Sequence, residues 1–393
     1  SPSGVGGASA GKANEKRKLP DACRLRRLKM PPEDALPKIF KKWHDLERKW
    51  FSDSLHLAPL VPAGTKAVVV LDSLATMTGK YAAARQLHRQ TWMQRPGICS
   101  PKRNEDPNCV LFPIFPMTAG GTLRKPCSLT LKEIEASEAI AEEDNRADPE
   151  RTESFLLKWE EPYVQPWWTP RPLAHDEPRH LVMFKTALVR YPWMTHFVKQ
   201  DLDTYPYFPW GLPEIAKPAQ GPAAATRHVY LGQWKTTGVW PGPRKKMAKG
   251  IHRLGTDCKI PSGNGGNRAG ICWHGEKNRD WGGNFWSADF ASVNDAWCND
   301  WSMTDFEKGC FKPWTKGLGL CSGFMYGHFW SYSRSLAQAI VDSRDKYIDS
   351  MRGNDFAHSD IRVGAWVNRI ALKANQSVEL RALCGTAPWR HFG

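Results

Sequence analysis

The sequence predicts an α/β protein: a mostly parallel central sheet with helices on both faces and a Trp- and Cys-rich insertion. Three observations carry this. Strand-sized apolar runs alternate with helix-sized amphipathic segments, the pattern of a layered α/β domain. The first run, Lys66-Ala67-Val68-Val69-Val70-Leu71-Asp72, is apolar at successive positions, so it suits a central parallel strand buried on both faces. The chain has 393 residues, 41% apolar and 24% charged, enough for one large core or two ordinary domains.

In order along the chain, residues 1–20 are Gly, Ser, Ala, Lys and Arg, and read as a flexible stem. Between 37 and 55, Ile39, Phe40, Trp43, Leu46, Trp50 and Phe51 recur at helical spacing, which predicts a helix docked on the body. Residues 1–58 are thus a basic stem with an amphipathic helix, and 59–393 the main domain. After the first strand come a helix over 81–93 and a second strand over 110–115. Pro113 inside that strand points to a sheet edge or a bent end. Acidic, Ala-rich residues 131–157 read as helix, 160–178 as a Pro/Trp loop, 179–191 as helix, and 195–199 as a third strand. Residues 240–320 hold four cysteines and seven tryptophans with poor periodicity, and read as a stapled insertion lying over the sheet. Helices are expected again at 333–347 and 361–372.

Net charge is +15, of which +7 falls within residues 1–50. A basic tail of this kind reads as a solvated or sorting segment. The aromatics are not interleaved with Lys and Arg as single-strand binders require, so no nucleic-acid partner is expected. No apolar run reaches the roughly 20 residues that cross a bilayer. The first residue is Ser rather than Met, which suggests an upstream anchor or targeting peptide removed from the chain. The ten cysteines form no C-x-x-C pair, against a zinc ribbon or thioredoxin site, and their even number suits disulfides in an oxidising lumen. Asn375-Gln376-Ser377 is the one N-glycosylation sequon.

The sharpest local feature is Lys199-Gln200-Asp201-Leu202-Asp203-Thr204-Tyr205, at the end of the third strand. On an extended chain, carboxylates at i and i+2 leave the same side and converge. Ligands of open α/β sheets bind outside the carboxyl ends of strands, and such a pair suits a hard divalent cation carrying phosphate oxygens. Paired aspartates at strand ends are also ordinary turn formers.

Three further segments add to this. Arg85-Gln86-Leu87-His88-Arg89-Gln90-Thr91-Trp92 resembles the R-x-x-[hydrophobic]-R-x-T-W block of glycosyltransferase family 31, the β-1,3-galactosyltransferase-like enzymes, with His88 where an aliphatic residue is usual. The Lys199–Tyr205 segment is similar to that family's K-x-D-D-D-x-[FY]. Cys321-Ser322-Gly323-Phe324-Met325-Tyr326 resembles its C-S-G-x-x-Y block, and Ser359-Asp360-Ile361-Arg362-Val363-Gly364 its E-D-V-x-x-G block. The resemblance runs from Val68 to about Gly364 in matching order.

The resemblance implies a GT-A-type nucleotide-diphospho-sugar transferase fold, with manganese and a UDP-sugar donor. It implies an inverting transfer of galactose or N-acetylglucosamine to a glycan hydroxyl in β-1,3 linkage, in the Golgi or secretory lumen, from a type II membrane precursor. Asp203 and Asp201 would hold the metal on the diphosphate, with His391 as the downstream histidine of the shell. Asp360 would be the general base, and Arg85 and Arg89 would lie at the nucleotide. Two departures stand out: Leu202 replaces the middle aspartate, and Ser359 replaces the acidic residue before the base. They keep open an inactive member of the fold, serving as a structural or glycan-binding subunit in a protein complex. Read without the resemblance, Asp360 is a helix N-cap and the two arginines a solvated helix face. Among the 19 tryptophans, Trp167, Trp168, Trp281 and Trp286 are the candidates to stack on an acceptor glycan, with packing of a sparse core as the alternative.

Overall fold

The computed structural model describes residues 34–118, 131–157, 177–236, 285–289, 323–343, 374–383 and 389–391, with six helical residues between 363 and 371. Helix α1 spans Ala35–Arg48. The body opens with β1 (Ala67–Leu71), β2 (Ser73–Leu74), α2 (Gly79–Gln90) and β3 (Leu111–Thr118). Then come α3 (Leu131–Ala147), β4 (Glu153–Leu156), α4 (Glu177–Arg190), β5 (His196–Gln200), β6 (Thr204–Pro206), α5 (Phe208–Ala216) and α6 (Ala223–Thr226). The rest comprises β7 (His228–Thr236), β8 (Phe285–Asp289), β9 (Gly323–Ser333), α7 (Arg334–Asp342), β10 (Val378–Leu383) and β11 (Trp389–His391).

Nine of these strands form one sheet, in the order β4-β3-β1-β5-β9-β7-β10-β8, with β2 prolonging β1 along β3. Strands β4, β3, β1 and β5 are mutually parallel, as are β7 and β10. Strand β9 runs against both β5 and β7, and β8 against β10. The sheet is therefore mostly parallel, as the sequence predicts.

Alternation along β1 sends its side chains into two cores. Val68 and Val70 join Phe112, Ile114 and Phe197 beneath α4, α7 and the helical residues 363–371. Ala67, Val69 and Leu71 join Leu111, Phe115 and Val198 beneath α1, α2 and α5. Helices thus cover both faces. Each buried valine contributes roughly 1.5–3 kcal/mol relative to exposure, which explains why β1 is apolar throughout.

Three expectations need correction. Strand β3 is interior, flanked by β1 and β4. Its two prolines are tolerated because Pro113 precedes the β4 pairing, which starts at Ile114, and Pro116 stands at the step where β1 gives way to β2. Residues 131–157 are not one helix: α3 ends at Ala147, and Glu153–Leu156 forms the edge strand β4. Of the Trp/Cys-rich insertion, the described part is β8, which extends the sheet edge rather than lying over it. The helix of the stem docks on the body, as its spacing predicts, with Leu36, Phe40 and Leu57 fully buried in the second core.

Cys99 and Cys109 are joined by a disulfide and both are buried. The other eight cysteines lie outside the described residues.

Gly232 sits where β7 bulges against β9. A Cβ added there would lie 2.9 Å from the Met325 Cβ. Gly232→Ala is expected to cost about 1–3 kcal/mol of stability by overpacking, read as a lower midpoint in urea unfolding.

Candidate functional site

The sheet reverses its winding between β1 and β5. From β1 the chain proceeds to β3 on one side, while β5 and all later strands of the sheet lie on the other. Such a switch point opens a crevice outside the carboxyl ends of the two strands. Leu71 and Gln200 are the last paired residues there, so Asp72 and Asp201 stand at the two lips.

Past β5 the chain does not stay extended. The Thr204 N–H donates to the Asp201 carbonyl at 3.0 Å, closing a turn over 201–204. The two carboxylates are therefore first and third residues of a turn, and the alternation argument for their convergence does not apply. The turn has a structural reason: Leu202 is 4% exposed and packs in the second core. An aspartate at that position would place a charge in an apolar setting at a cost of several kcal/mol. Asp203 is buried, and Asp201 is ion-paired with Lys199. The Gln200 side-chain amide donates to the Thr204 carbonyl at 2.7 Å, bracing the turn from within.

Two further elements grip this turn. The His88 Nε2 lies 2.8 Å from the Leu202 carbonyl. The Trp92 indole N–H, which can only donate, meets His88 Nδ1 at 2.7 Å. Nδ1 therefore accepts, and the proton sits on Nε2, aimed at Leu202. Burial holds the His88 pKa down to about 3. On the other side, the Tyr205 hydroxyl donates to Glu47 Oε2 at 2.6 Å, and His44 Nδ1 lies 2.7 Å from the same hydroxyl. Arg95 Nη2 stands 3.3 Å from the other oxygen of Glu47. Burial, then the neighbouring Glu47 charge, pushes the Tyr205 phenol well above its ordinary pKa. His88, Glu47 and His44 were not candidates in the sequence. The departure of His88 from the family block was the one signal that marked any of them.

Arg85 and Arg89 need a different role from the one the resemblance implies. Arg85 is 1% exposed, and donates to Asp144 at 3.0 Å, to Ser73 Oγ at 2.9 Å, and to the Leu74 and Thr76 carbonyls. Arg89 forms a two-pronged pair with Asp144, at 3.1 and 2.5 Å. Both guanidinium groups face protein. Arg85 braces the segment after β1, and Arg89 joins its partner Asp144 to Thr152 and Ser154, so both act as support rather than in direct contact with a diphosphate. They are not a solvated helix face either. Burial pushes the Asp144 carboxyl up, but the hydrogen bonds and charges of Arg89 and Arg85 outweigh it and hold the pKa below the usual value.

The C-terminal strand returns to the turn. Strand β11 pairs antiparallel with β6, with His391 opposite Thr204, the residue after Asp203. Gly323, which opens β9, pairs with Thr236 at the end of β7, so this motif block begins at the same edge of the sheet. Cys321, Ser322, Ser359, Asp360, Trp167, Trp168 and Trp281 lie outside the described residues. Trp286 is on the edge strand β8, opposite Ala382 and four strands from β5. Among the described residues, no three His, Cys, Asp or Glu side chains stand close enough to hold a metal ion. Nor is any described helix long and apolar enough to cross a membrane.

A cavity of about 620 Å³ opens at the opposite edge of the sheet, lined by His56, Arg95, Cys99, Arg103, Asp106 and Glu150 among others. Its charged groups are ion-paired, Arg103 with Asp106 at 2.6 Å and Glu150 at 3.8 Å, and Arg95 and Arg151 with Glu47 and Asp148 beyond it. No described motif residue lines it, so the switch point is the better candidate.

Compared with protein-family models and with curated proteins, the chain matches none.

Removing Asp144 leaves two buried guanidinium groups without their carboxylate. Asp144→Ala is expected to cost about 3–5 kcal/mol, measured by chemical denaturation. His88 supplies a pH test. It protonates near 6.5 in the unfolded chain but only near 3 in the fold. Its contribution is full above pH 6.5 and falls as pH drops toward 3, by about 1.4 kcal/mol per unit. Melting temperature should decline between pH 6.5 and 4, and His88→Gln should flatten that decline; an unchanged slope would assign the effect elsewhere.

Proposed function

We propose that this chain is a metal-dependent inverting glycosyltransferase with a GT-A-type fold, similar to family 31. It would move a hexose, galactose or N-acetylglucosamine, from a UDP-sugar to a glycan hydroxyl in β-1,3 linkage. The observation that carries this reading is the register of β11 on β6. It brings the backbone of His391 beside the Asp201–Asp203 turn at the switch point, although 188 residues separate His391 from Asp203. Two carboxylates and an imidazole form a donor set of the right hardness for a divalent cation.

On this reading Asp201, Asp203 and His391 are the residues an ion would recruit, although among the described residues no three such side chains stand together as a preformed site. When bound, manganese would neutralise the charge that develops on the departing diphosphate. The chain's own residues do the rest. Asp360 would take the proton of the acceptor hydroxyl. Its oxygen then bonds to the anomeric carbon as the bond to the UDP oxygen breaks on the opposite side, which inverts the configuration. Arg85, through Ser73, Leu74 and Thr76, holds the wall of the crevice after β1. Lys199 pairs with Asp201, so it would have to yield as an ion enters, or turn its charge to the diphosphate.

That same ion pair favours a second reading. An ammonium already occupying Asp201, with Leu202 in the core and Ser359 before the expected base, suits a member of the fold without turnover, acting as a structural or glycan-binding subunit.

Thermal unfolding with UDP and Mn²⁺ separates the two. A hundredfold excess over Kd contributes about 2.7 kcal/mol, so binding is expected to raise the melting temperature by several degrees. Asp203→Ala should remove the rise. Asp360→Asn should keep it and abolish sugar transfer. No shift with any nucleotide–metal pair would favour the second reading.

A further inference from the structure

Two of the three places where the motifs depart from the family pattern touch each other. His88 stands where an aliphatic residue is usual, and Leu202 where an aspartate is usual. The His88 Nε2–H is directed at the Leu202 carbonyl at 2.8 Å. Trp92 fixes the ring by donating to Nδ1 at 2.7 Å. An aliphatic side chain at position 88 makes neither bond.

A second grip comes from α1, which composition alone assigns to the stem. Phe40 meets the His88 ring edge-on at 4.8 Å and the Tyr205 ring at 5.8 Å. One turn further along, His44 and Glu47 hold the Tyr205 hydroxyl. Glu47 is fully buried, and Arg95 supplies its counter-charge. The turn is therefore held at its second residue by α2 and just past its end by α1. Asp203 and Thr204 are the two residues between these points.

We propose that His88 and Glu47 are positioning residues for the Asp201–Asp203 turn, and that α1, docked on the body, is part of the candidate site at the switch point. The role rests on the transferase reading, but the mechanical claim does not. Fixing Leu202 and Tyr205 leaves Asp203 little backbone freedom. A carboxylate held in place before its ligand arrives avoids the ordering cost of binding. Hydrogen bonds to buried groups are the means, because a carbonyl or phenol left unpaired there keeps its full desolvation cost.

The test uses the full chain, with hydrogen–deuterium exchange of peptides covering 200–206 as one readout and the Kd for UDP with Mn²⁺ as the other. Three variants are compared. His88→Leu removes both ring bonds. His88→Gln keeps an amide donor for Leu202 and an oxygen acceptor for Trp92. Tyr205→Phe removes the donor to Glu47. Exchange at 202–205 should rise at least tenfold in His88→Leu and Tyr205→Phe, with β1 and β5 unchanged. The Kd should weaken by a similar factor, and His88→Gln should recover both readouts. Unchanged exchange in His88→Leu would overturn the clamp. So would a loss spread equally over β1 and β5, or a His88→Gln variant no better than His88→Leu. If the unmodified chain binds no UDP with Mn²⁺, the transferase reading fails while the exchange data still decide the clamp.

Discussion

The parallel pairing of β1 between β3 and β5 is the constraint on which the rest depends. Its five residues are all buried, with alternate side chains in two different cores. A strand buried on both faces needs helices on both sides, and a parallel neighbour needs a crossover to reach it. Winding outward from β1 in both directions then leaves a switch point at the ends of β1 and β5. The crevice, and the turn that overhangs it, follow from that winding.

Charge is used sparingly inside this frame, and mostly to hold backbone. Arg85 joins the segment after β1 to Asp144 on α3. Arg89 shares the same carboxylate. Arg381 repeats the pattern on β10: it pairs with Glu379 and donates to the carbonyls of Glu214, Lys217 and Pro218. In each case a guanidinium with several fixed donors meets groups that burial would otherwise leave unpaired. Two of these arginines belong to the block that resembles family 31. Their local setting shows how a motif can be spaced for chemistry and still act by shaping the wall around it.

The turn after β5 joins the fold to the proposed chemistry. Leu202 anchors it in the core, His88 and Glu47 grip it from two helices, and β11 lies along its exit. A departure from a motif reads as a loss when single residues are compared. Here the leucine and the histidine compensate for each other, because a buried leucine draws the chain inward and the histidine satisfies the carbonyl that comes with it.

Local pattern was enough for β1, α2, α4 and β5, where apolar runs or helical spacing are unbroken. It also located the acidic pair at a strand end. It failed for β4, whose four residues follow an acidic helix with no apolar run of their own. It missed β9, where Gly and Ser break the alternation and aromatic content is the main strand signal, and β10, whose Val378–Ala382 alternates regularly but whose charged Glu379 and Arg381 are buried as a pair. The geometry of the acidic pair was not legible, because whether the chain stays extended past residue 200 depends on a core pocket for Leu202 built from distant segments. Sequence alone determined which residues are apolar, which are acidic, and in what order the motifs come. Tertiary structure alone decided that the two arginines face inward, that α1 grips Tyr205, and that His391 lies opposite Thr204, since each is a contact between segments far apart in the chain and no local spacing encodes it.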